Sequence, residues 1–134
     1  MEKLENKICL DTDFLINFLR NNEEEVNFIK DNEDKSLATT YINLFELYYG
    51  AHKSEFKKQN VNGVSLLVER LEILNFSIEV VNKAGEILAE LEKKGNLIDF
   101  RDILVGTVSL MNDYSLKTNN VKHFEKISGL KIIR

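Results

Sequence analysis

The fold is decided near the amino terminus, by the stretch Lys7-Ile8-Cys9-Leu10-Asp11-Thr12-Asp13-Phe14-Leu15-Ile16. The apolar run at its start is typical of a buried strand, and the run stops at Asp11. Apolar residues then recur at helical spacing, which predicts a helix directly after the strand. In an open α/β sheet, ligands bind outside the carboxyl ends of the strands, so Asp11 is well placed for chemistry. Taken alone, Asp11 or Asp13 is more simply explained as a helix N-cap.

Four further strands and several helices follow in the sequence pattern. We predict strands at about 6–10, 36–39, 77–81, 114–118 and 130–133. We predict helices after Asp13 and at about 24–32, 41–52, 53–74 and 83–93, with a last one that opens within 96–102 and continues through 110. Because strands alternate with helices, we expect parallel pairing with right-handed crossovers. The predicted fold class is α/β, a three-layer α/β/α sandwich around a central, mainly parallel five-stranded sheet.

Length and composition indicate a single domain over residues 1–134. The hydrophobic fraction of 43% is enough for a core without disulfides, and the lone cysteine, Cys9, fits a buried residue in a reducing compartment. No apolar stretch approaches the roughly 20 residues of a membrane span. The charged first residues Glu2, Lys3, Glu5 and Lys7 do not resemble a signal peptide. We therefore expect a cytoplasmic protein that does not associate with a membrane.

The formal net charge of −4 argues against broad binding of nucleic acid by a basic surface. Carboxylates that hold divalent cations reverse the local sign, however, so net charge does not exclude a phosphodiester substrate. No glycine-rich phosphate loop follows any predicted strand, which argues against nucleotide-binding enzymes of the dinucleotide or Walker type. A metal-assisted reaction on a phosphodiester therefore stays open.

Two more acids lie where a shared acidic site would need them. Glu46 lies in the predicted helix 41–52, which is apolar on nearly all sides and is therefore expected to be buried. An ionised carboxylate there is costly unless it is paired with a basic residue or bound to a cation. Asp102 follows Asp99 at capping-box spacing, so Asp99 can cap the next helix. The residues above Asp102 are small and apolar, and Gly106 among them predicts close packing of that face against the sheet.

Polar residues follow the fourth predicted strand, in the segment Thr118-Asn119-Asn120-Val121-Lys122-His123-Phe124. Thr118 and Asn120 can build a turn, or they can supply neutral oxygens to a metal-bound water. The two histidines, His52 and His123, are not spaced as a pair of metal ligands, so zinc is not expected.

The predicted sandwich brings Asp11, Glu46 and Asp102 to one edge of the sheet. Three clustered carboxylates repel one another and raise one another's pKa values unless a cation neutralises them. Oxygen ligands of this kind favour Mg²⁺ or Mn²⁺. The sequence therefore predicts a metal site built from these three acids.

Four segments carrying these residues occur in a fixed order along nearly the whole chain: 10–16 (LDTDFLI), 45–51 (FELYYGA), 98–105 (IDFRDILV) and 117–124 (KTNNVKHF). Together they resemble the ordered motifs of PIN-domain ribonucleases of the VapC toxin type. The resemblance implies an endoribonuclease that depends on Mg²⁺ or Mn²⁺ and acts on RNA. It also implies a homodimer that is held inactive by a small antitoxin protein of the VapB type.

The same resemblance assigns the site residues. It implies that Asp11, Glu46 and Asp102 are the catalytic acids and metal ligands, with Thr118 and Asn120 as further catalytic residues of the fourth motif. Many PIN nucleases have an aspartate where this chain has Asn120, which predicts a weaker second metal site. His123 also stands where an acid is often found, so the fourth motif does not restore that charge.

Two other functions stay open at this point. Asp11-x-Asp13 after an apolar strand also resembles the first motif of haloacid-dehalogenase-type phosphatases, in which Asp11 is the nucleophile and Asp13 its acid–base partner. That function gives no role to Glu46. The other alternative is a non-catalytic PIN-like module that binds nucleic acid, although all three acids are present.

The remaining surface predictions concern partners. Several basic residues are candidates for phosphate contacts, although a solvated surface is the commoner role: Lys53, Lys57, Lys58, Arg101, Lys117 and Lys122. The helical region 41–74 carries more apolar residues than one internal stripe needs: Tyr48, Tyr49, Phe56, Val64 and Leu66. Such a surplus commonly marks an interface, which also predicts self-association.

Overall fold

The structure is a computed structural model that describes residues 6–134. Glu2, Lys3 and Glu5, from which we argued against a signal peptide, lie outside the described residues. None of the helices within 6–134 has both the length and the apolar character needed to cross a membrane. The elements in chain order are β1 (Lys7–Leu10), α1 (Thr12–Leu19), α2 (Glu23–Asp31), β2 (Ser36–Thr40), α3 (Tyr41–Lys53), α4 (Lys57–Val68), β3 (Glu72–Leu74), α5 (Ile78–Lys93), α6 (Phe100–Met111), β4 (Ser115–Lys117), α7 (Val121–Phe124) and β5 (Ile132–Ile133).

All five strands pair in parallel, in the order β3-β2-β1-β4-β5. Successive residues of the central strand β1 point to opposite faces of the sheet. Ile8 and Leu10 therefore join the core that contains α1 to α4, whereas Cys9 joins the core that contains α5 to α7. Burial raises the pKa of the Cys9 thiol to about 12. The predicted three-layer α/β/α sandwich with a parallel five-stranded sheet is confirmed.

The strand order places a topological switch point beside β1. From β1 the chain adds β2 and then β3 along one edge of β1. It then returns, and β4 pairs with the opposite edge of β1. The backbone N–H of Asp11 donates to the carbonyl of Lys117 at 3.1 Å, which holds the ends of β1 and β4 together. Side chains that follow these two strands therefore border the crevice in which open α/β sheets bind ligands.

The third strand lies earlier in the chain than the sequence pattern predicts. β3 falls within the segment predicted as the end of a helix over 53–74, whereas the predicted strand 77–81 forms the first turn of α5. The Ser77 side chain accepts a hydrogen bond from the backbone N–H of Val80 at 3.2 Å and so caps α5. The prediction of a strand here is wrong, because Ser77 caps a helix. Val80 is the first residue on the buried face of that helix.

The predicted helix over 53–74 is also interrupted at its start. α3 ends at Lys53, where the Ser54 hydroxyl donates to the carbonyl of Ala51 at 2.6 Å, and α4 begins only at Lys57. The helix α5 ends at Lys93, and Gly95 follows it with a φ of +80°, a conformation that glycine adopts without a steric penalty. Turn chemistry thus sets these boundaries more than apolar spacing does.

Gly106 allows close packing, although its neighbours differ from those predicted. A Cβ at this position would overlap with Cδ1 of Ile127 and would lie 3.3 Å from Cδ1 of Phe124. At Gly106 itself, α6 therefore packs closely against α7 and the turn after it. A side chain at Gly106 would require the Ile127 side chain to move.

One buried hydroxyl in α6 offers a test of how the core is stabilised. Among the described residues, the Thr107 hydroxyl is the buried side-chain polar group that lacks a hydrogen-bond partner. Thr107→Val removes that uncompensated polar group while keeping the shape of the side chain. We expect the free energy of unfolding to rise by about 1 kcal/mol, as measured by urea denaturation.

Ser109→Ala is the matched control in the same helix. The Ser109 hydroxyl is equally buried but donates to the carbonyl of Val105 at 2.9 Å. We expect its removal to lower the free energy of unfolding by about 1 kcal/mol. Equal losses from both variants would show that the Thr107 hydroxyl is satisfied in solution.

Candidate active site

A cavity of about 590 Å³ opens beyond the carboxyl ends of the strands. Asp11, Glu46, Asp102 and Asn120 all contribute to its lining. They come from four elements, namely the end of β1, α3, the first turn of α6 and the loop after β4. The structure therefore brings the three predicted acids to one cavity.

Asp11 is fixed in orientation by hydrogen bonds to both of its carboxylate oxygens. Oδ1 accepts from the backbone N–H of Thr12 at 2.9 Å and from Nδ2 of Asn43 at 3.1 Å, and Oδ2 accepts from the Thr118 hydroxyl at 2.7 Å. Asp11 is thus the N-cap of α1 as well as a wall of the cavity. Asp13, which we considered as that cap, is exposed and contributes to the cavity wall instead.

Within residues 6–134, the buried carboxylate of Asp11 accepts hydrogen bonds from neutral groups and pairs with no basic side chain. Desolvation raises the pKa of its carboxyl above the usual value, and this effect outweighs the hydrogen bond from Thr118. The negative charges of Asp13 and Asp102 act in the same direction. A cation in the cavity would offset this cost.

Glu46 is more accessible than the sequence predicts. The helix that carries it is open on one side, where Tyr41, Phe45 and Tyr49 are 54%, 66% and 55% exposed. The Glu46 side chain itself is 34% exposed, and its Oε1 accepts from the Thr12 hydroxyl at 2.5 Å. The prediction that α3 is buried on nearly all sides is wrong, because the large aromatic residues on its outer face point into solvent. Glu46 is a candidate because it lines the cavity, not because burial forces a cation on it.

Asp102 lies in the first turn of α6 and is half-buried. Desolvation raises the pKa of its carboxyl above the usual value, against the opposing effect of His123. Nδ1 of His123 lies 3.3 Å from Oδ2 of Asp102 and 2.8 Å from Nδ2 of Asn120. A neutral His123 accepts from Asn120 there, and a protonated His123 donates to Asp102.

Asp99 is engaged elsewhere. It caps α6 as predicted, with Oδ1 accepting from the backbone N–H of Arg101 at 2.8 Å. Its carboxylate also pairs with the guanidinium of Arg101 at 2.7 Å, and these hydrogen bonds hold the pKa of Asp99 at about 2. Arg101 lines the cavity and extends toward Glu46, with 3.9 Å between Nη1 of Arg101 and Oε2 of Glu46. The positive charge nearest the acids is therefore partly neutralised by Asp99.

The fourth motif supplies two side chains with different environments. Thr118 is 2% exposed, donates its hydroxyl to Asp11 and accepts the backbone N–H of Asn120 at 2.9 Å. Asn120 lines the cavity. Thr118 therefore positions Asp11, whereas the side chain available to a ligand in the cavity is that of Asn120.

Sequence reasoning missed Asn43, which joins the site from beneath. This residue is 1% exposed, and its Nδ2 donates to Oδ1 of Asp11 at 3.1 Å and to the Thr12 hydroxyl at 2.8 Å. Its Oδ1 accepts from the backbone N–H of Thr40 at 3.3 Å, and the Thr40 hydroxyl accepts from the backbone N–H of Asn43 at 3.2 Å, which makes a capping box at the start of α3. The spacing Thr40-x-x-Asn43, three residues before Glu46, is the signal that could have found it.

Asn43→Ala is expected to destabilise the protein through this network. The change leaves the Asp11 carboxylate and two hydroxyls short of a buried partner, so the free energy of unfolding should fall by about 2 kcal/mol. Urea denaturation measures the loss. Asn32→Ala serves as the control, since the Asn32 side chain lies in a less buried place, where it donates to the carbonyl of Phe28 and accepts from Nζ of Lys35. An Asn43→Ala variant no less stable than Asn32→Ala would contradict a central role for Asn43.

The donors in the cavity fit a hard cation that keeps much of its water. In the part of the chain from 6 to 134, no three His, Cys, Asp or Glu side chains lie close enough together to hold one metal ion. Mg²⁺ does not need three, because it is commonly bound through one or two carboxylates and retains several waters. Asp11 and Asp102, both raised in pKa by desolvation, provide two such carboxylates. The described residues that line the cavity include carboxylates and an amide but no cysteine or histidine, and oxygen donors of this kind favour Mg²⁺ or Mn²⁺ over zinc.

The basic residues named as phosphate contacts are distributed over several surfaces. Arg101 lines the cavity with the acids, and Nζ of Lys53 lies 4.7 Å from the ring centroid of Tyr49, which lines the same cavity. Lys57 and Lys58 line a second cavity of about 1090 Å³ at the start of α4. Lys117 donates to the carbonyl of Arg134 at 2.6 Å. Of these basic residues, Arg101 is therefore the one that shares the cavity with the acids.

Known proteins resemble this chain over nearly its whole length. The family model of the PIN domain matches residues 8–130. Ribonuclease VapC2 of Rickettsia felis is 37% identical over 98 residues, which is 73% of each chain. The tRNA(fMet)-specific endonuclease VapC of Salmonella typhimurium is 30% identical over 126 residues, covering 94% of this chain and 96% of that one. The crystal structure of VapBC2 from Rickettsia felis bound to a DNA fragment from their promoter matches with a TM-score of 0.87 and 30% identity, covering 94% of this chain and 96% of the matched chain.

Proposed function

Because the chain belongs to the PIN-domain family, we propose that it is an endoribonuclease, the toxin of a type II toxin–antitoxin pair. It hydrolyses RNA phosphodiester bonds at the cavity beyond the ends of β1 and β4. The observation that carries this proposal is that Asp11, Glu46 and Asp102, the acids of the family's motifs, line that one cavity.

Asp11 and Asp102 would hold Mg²⁺ or Mn²⁺ in the cavity, and Glu46 lines the same cavity beside them. A bound ion of this kind supplies a water of lowered pKa and polarises a phosphoryl oxygen. Thr118 and Asn43 hold the two oxygens of Asp11 in a fixed orientation, and the Thr12 hydroxyl does the same for Glu46. Asn120 faces the cavity and orients the attacking water or the phosphate through its amide.

Arg101 contributes positive charge to the same cavity. Its guanidinium reaches both Asp99 and Glu46, so it can exchange the 3.9 Å contact with Glu46 for a phosphate oxygen while Asp99 keeps it in place. An arginine held this way presents its donors in a fixed geometry, which suits a phosphate better than a free lysine does.

The partners follow from the same similarity. The chain binds a small antitoxin of the VapB type, as its likeness to the VapBC2 complex supports. We also infer a homodimer, because Leu66, Ile78 and Leu97 are large apolar side chains left 58%, 85% and 82% exposed. Val64, which we had counted toward this interface, is instead buried in the core. Light scattering after size exclusion should give the mass of two chains.

RNA cleavage assays test the activity directly. The protein should cut RNA with Mg²⁺ or Mn²⁺, stop when a chelator is added, and resume when the metal is restored. The substrate panel includes initiator tRNA, because a relative is named for its action on tRNA(fMet). A small phosphate ester is included to test the phosphatase alternative, which requires Asp11 to act as a nucleophile. Turnover of the ester without cleavage of any RNA would contradict the proposal, and a folded protein inactive on both would favour the non-catalytic module.

A further inference from the structure

The wall of the cavity beside the acids is aromatic. Phe45 and Tyr49 both line it, and their rings are nearly parallel, with 11° between the planes and 6.2 Å between the centroids. They are 66% and 55% exposed, whereas the opposite face of α3 buries Leu44, Leu47 and Ala51 in the core. The two rings are therefore not needed to hold the fold together.

A cation extends this pair along the same face of the helix. Nζ of Lys53 lies 4.7 Å from the ring centroid of Tyr49. Phe45, Tyr49 and Lys53 are each four residues apart, so they form one row on α3, which we call the Phe45 row. Phe45 is at the end of the row away from Lys53 and has the more exposed ring.

The chemistry of the Phe45 row matches unpaired nucleic acid. Nucleobases stack on exposed aromatic rings, and this stacking does not depend on base identity because every base has a π-face. The net charge of −4 gives little general attraction to phosphates, so stacking is the interaction by which this surface can retain RNA near the acids. Lys53 adds a positive charge where the backbone of a stacked strand would continue.

We propose that the Phe45 row is a base-stacking subsite for single-stranded RNA, and this inference rests on the ribonuclease function proposed above. A base next to the scissile phosphate stacks on the ring of Phe45, Tyr49 supports that ring from behind, and Lys53 contacts a phosphate. A base inside a duplex is already stacked on its neighbours and does not offer its face. The subsite therefore selects unpaired RNA without selecting a sequence.

A second copy of the chain or the antitoxin is the other kind of occupant for exposed rings. Two features favour RNA. The rings share a cavity with the three acids, so whatever covers them lies against the reacting phosphate. The row also ends in a lysine, which suits a polyanion and not an apolar protein surface.

Fluorescence of 2-aminopurine tests the proposal, because stacking of this base on an aromatic ring quenches its emission. The probe is a short single-stranded RNA with one 2-aminopurine, and binding is measured in the Asp11→Asn background so that the RNA stays intact. Adding Phe45→Ala should weaken binding by about fivefold to more than a hundredfold and remove the quenching. Phe45→Trp should keep both. Phe100→Ala is the control, since it removes a ring that is 59% exposed but does not line the cavity.

Phe45→Leu separates stacking from general apolar contact. Leucine keeps an apolar side chain but has no π-face, so it should bind as poorly as Phe45→Ala. If Phe45→Leu restores binding, or if Phe45→Ala binds and quenches as the Asp11→Asn protein does, the subsite is overturned. A change in oligomeric mass or antitoxin binding with unchanged RNA binding would also overturn it, in favour of a protein interface. The ribonuclease proposal is judged separately, by whether the protein with Asp11 intact cleaves RNA.

Discussion

The Asp11→Asn variant is expected to lose metal-dependent RNA cleavage by about three orders of magnitude or more. Asp11 is the most buried of the three acids and has both oxygens held by hydrogen bonds, so it is the carboxylate with the best-defined geometry. Asparagine keeps an oxygen that can accept from Thr12 and Asn43, which preserves the cap of α1. Single-turnover cleavage of RNA at saturating Mn²⁺ measures the effect on the chemical step.

The same variant should be more stable than the parent when metal is absent. Because desolvation raises the pKa of Asp11 in the folded state, its protonation favours folding. That contribution is fully present below the usual value of 3.8 and is lost as the pH rises through the raised pKa. In the presence of a chelator, Asp11→Asn should therefore raise the free energy of unfolding at pH 7. The advantage should shrink as the pH falls toward 3.8, as urea denaturation can measure.

Asp13→Asn is the matched control for this change. Asp13 contributes to the same cavity but is exposed and does not cap the helix. We expect its cleavage rate to stay within about fivefold of the parent, since an exposed carboxylate at the rim supplies little fixed charge. If the Asp11→Asn protein cuts RNA as fast as the Asp13→Asn protein, Asp11 is not a catalytic residue.

Asp102→Asn should give the second largest effect, a loss of cleavage of about two to three orders of magnitude. Asp102 is half-buried in the cavity, and desolvation raises its pKa as it does for Asp11. Removing its charge leaves one strongly desolvated carboxylate to hold the ion. The measurement is the cleavage rate as a function of Mn²⁺ concentration, because a lost ligand should raise the concentration required as well as lower the maximal rate.

Asp99→Asn tests whether Asp99 is a structural acid, in contrast to Asp102, the metal-ligand candidate three residues later. Asp99 pairs with Arg101 and caps α6, and asparagine keeps the capping oxygen. We expect only a modest loss of cleavage, about fivefold or less, through looser positioning of Arg101. If Asp99→Asn is as damaging as Asp102→Asn, the two acids have been assigned to the wrong roles.

The layered fold could be predicted from the sequence because β1 and its flanking helices carry unambiguous periodicity. Ile8 and Leu10 pack on one side of the sheet and Cys9 on the other, as an alternating buried strand requires. The third strand could not be predicted in the same way. β3 is three residues long, at the sheet edge, and its apolar residues continue the spacing of the preceding helix. The start of α5 is set by its N-cap, Ser77, and a capping residue is a weaker signal in sequence than apolar periodicity.

The candidate site was predictable as a set of acids but not in its local environment. Spacing along the chain placed Asp11, Glu46 and Asp102 at one end of the sheet, where they line one cavity. The exposure of Glu46 could not be read from its neighbours, because an aromatic face on a helix looks the same in sequence whether it is buried or left open. Asn43 was missed for a related reason: an asparagine in the first turn of a helix is ordinarily a capping residue, and its contact with Asp11 depends on tertiary structure.

The central claim is that these acids hold the divalent ion with which the protein cuts RNA. Isothermal titration of Mn²⁺ into metal-free protein tests it most directly, with the Asp11→Asn variant titrated in parallel. We predict saturable binding to the parent protein, and loss of that binding in the variant while the variant remains folded. Binding of Mn²⁺ by both proteins with equal affinity, or by neither although both are folded, would contradict the account.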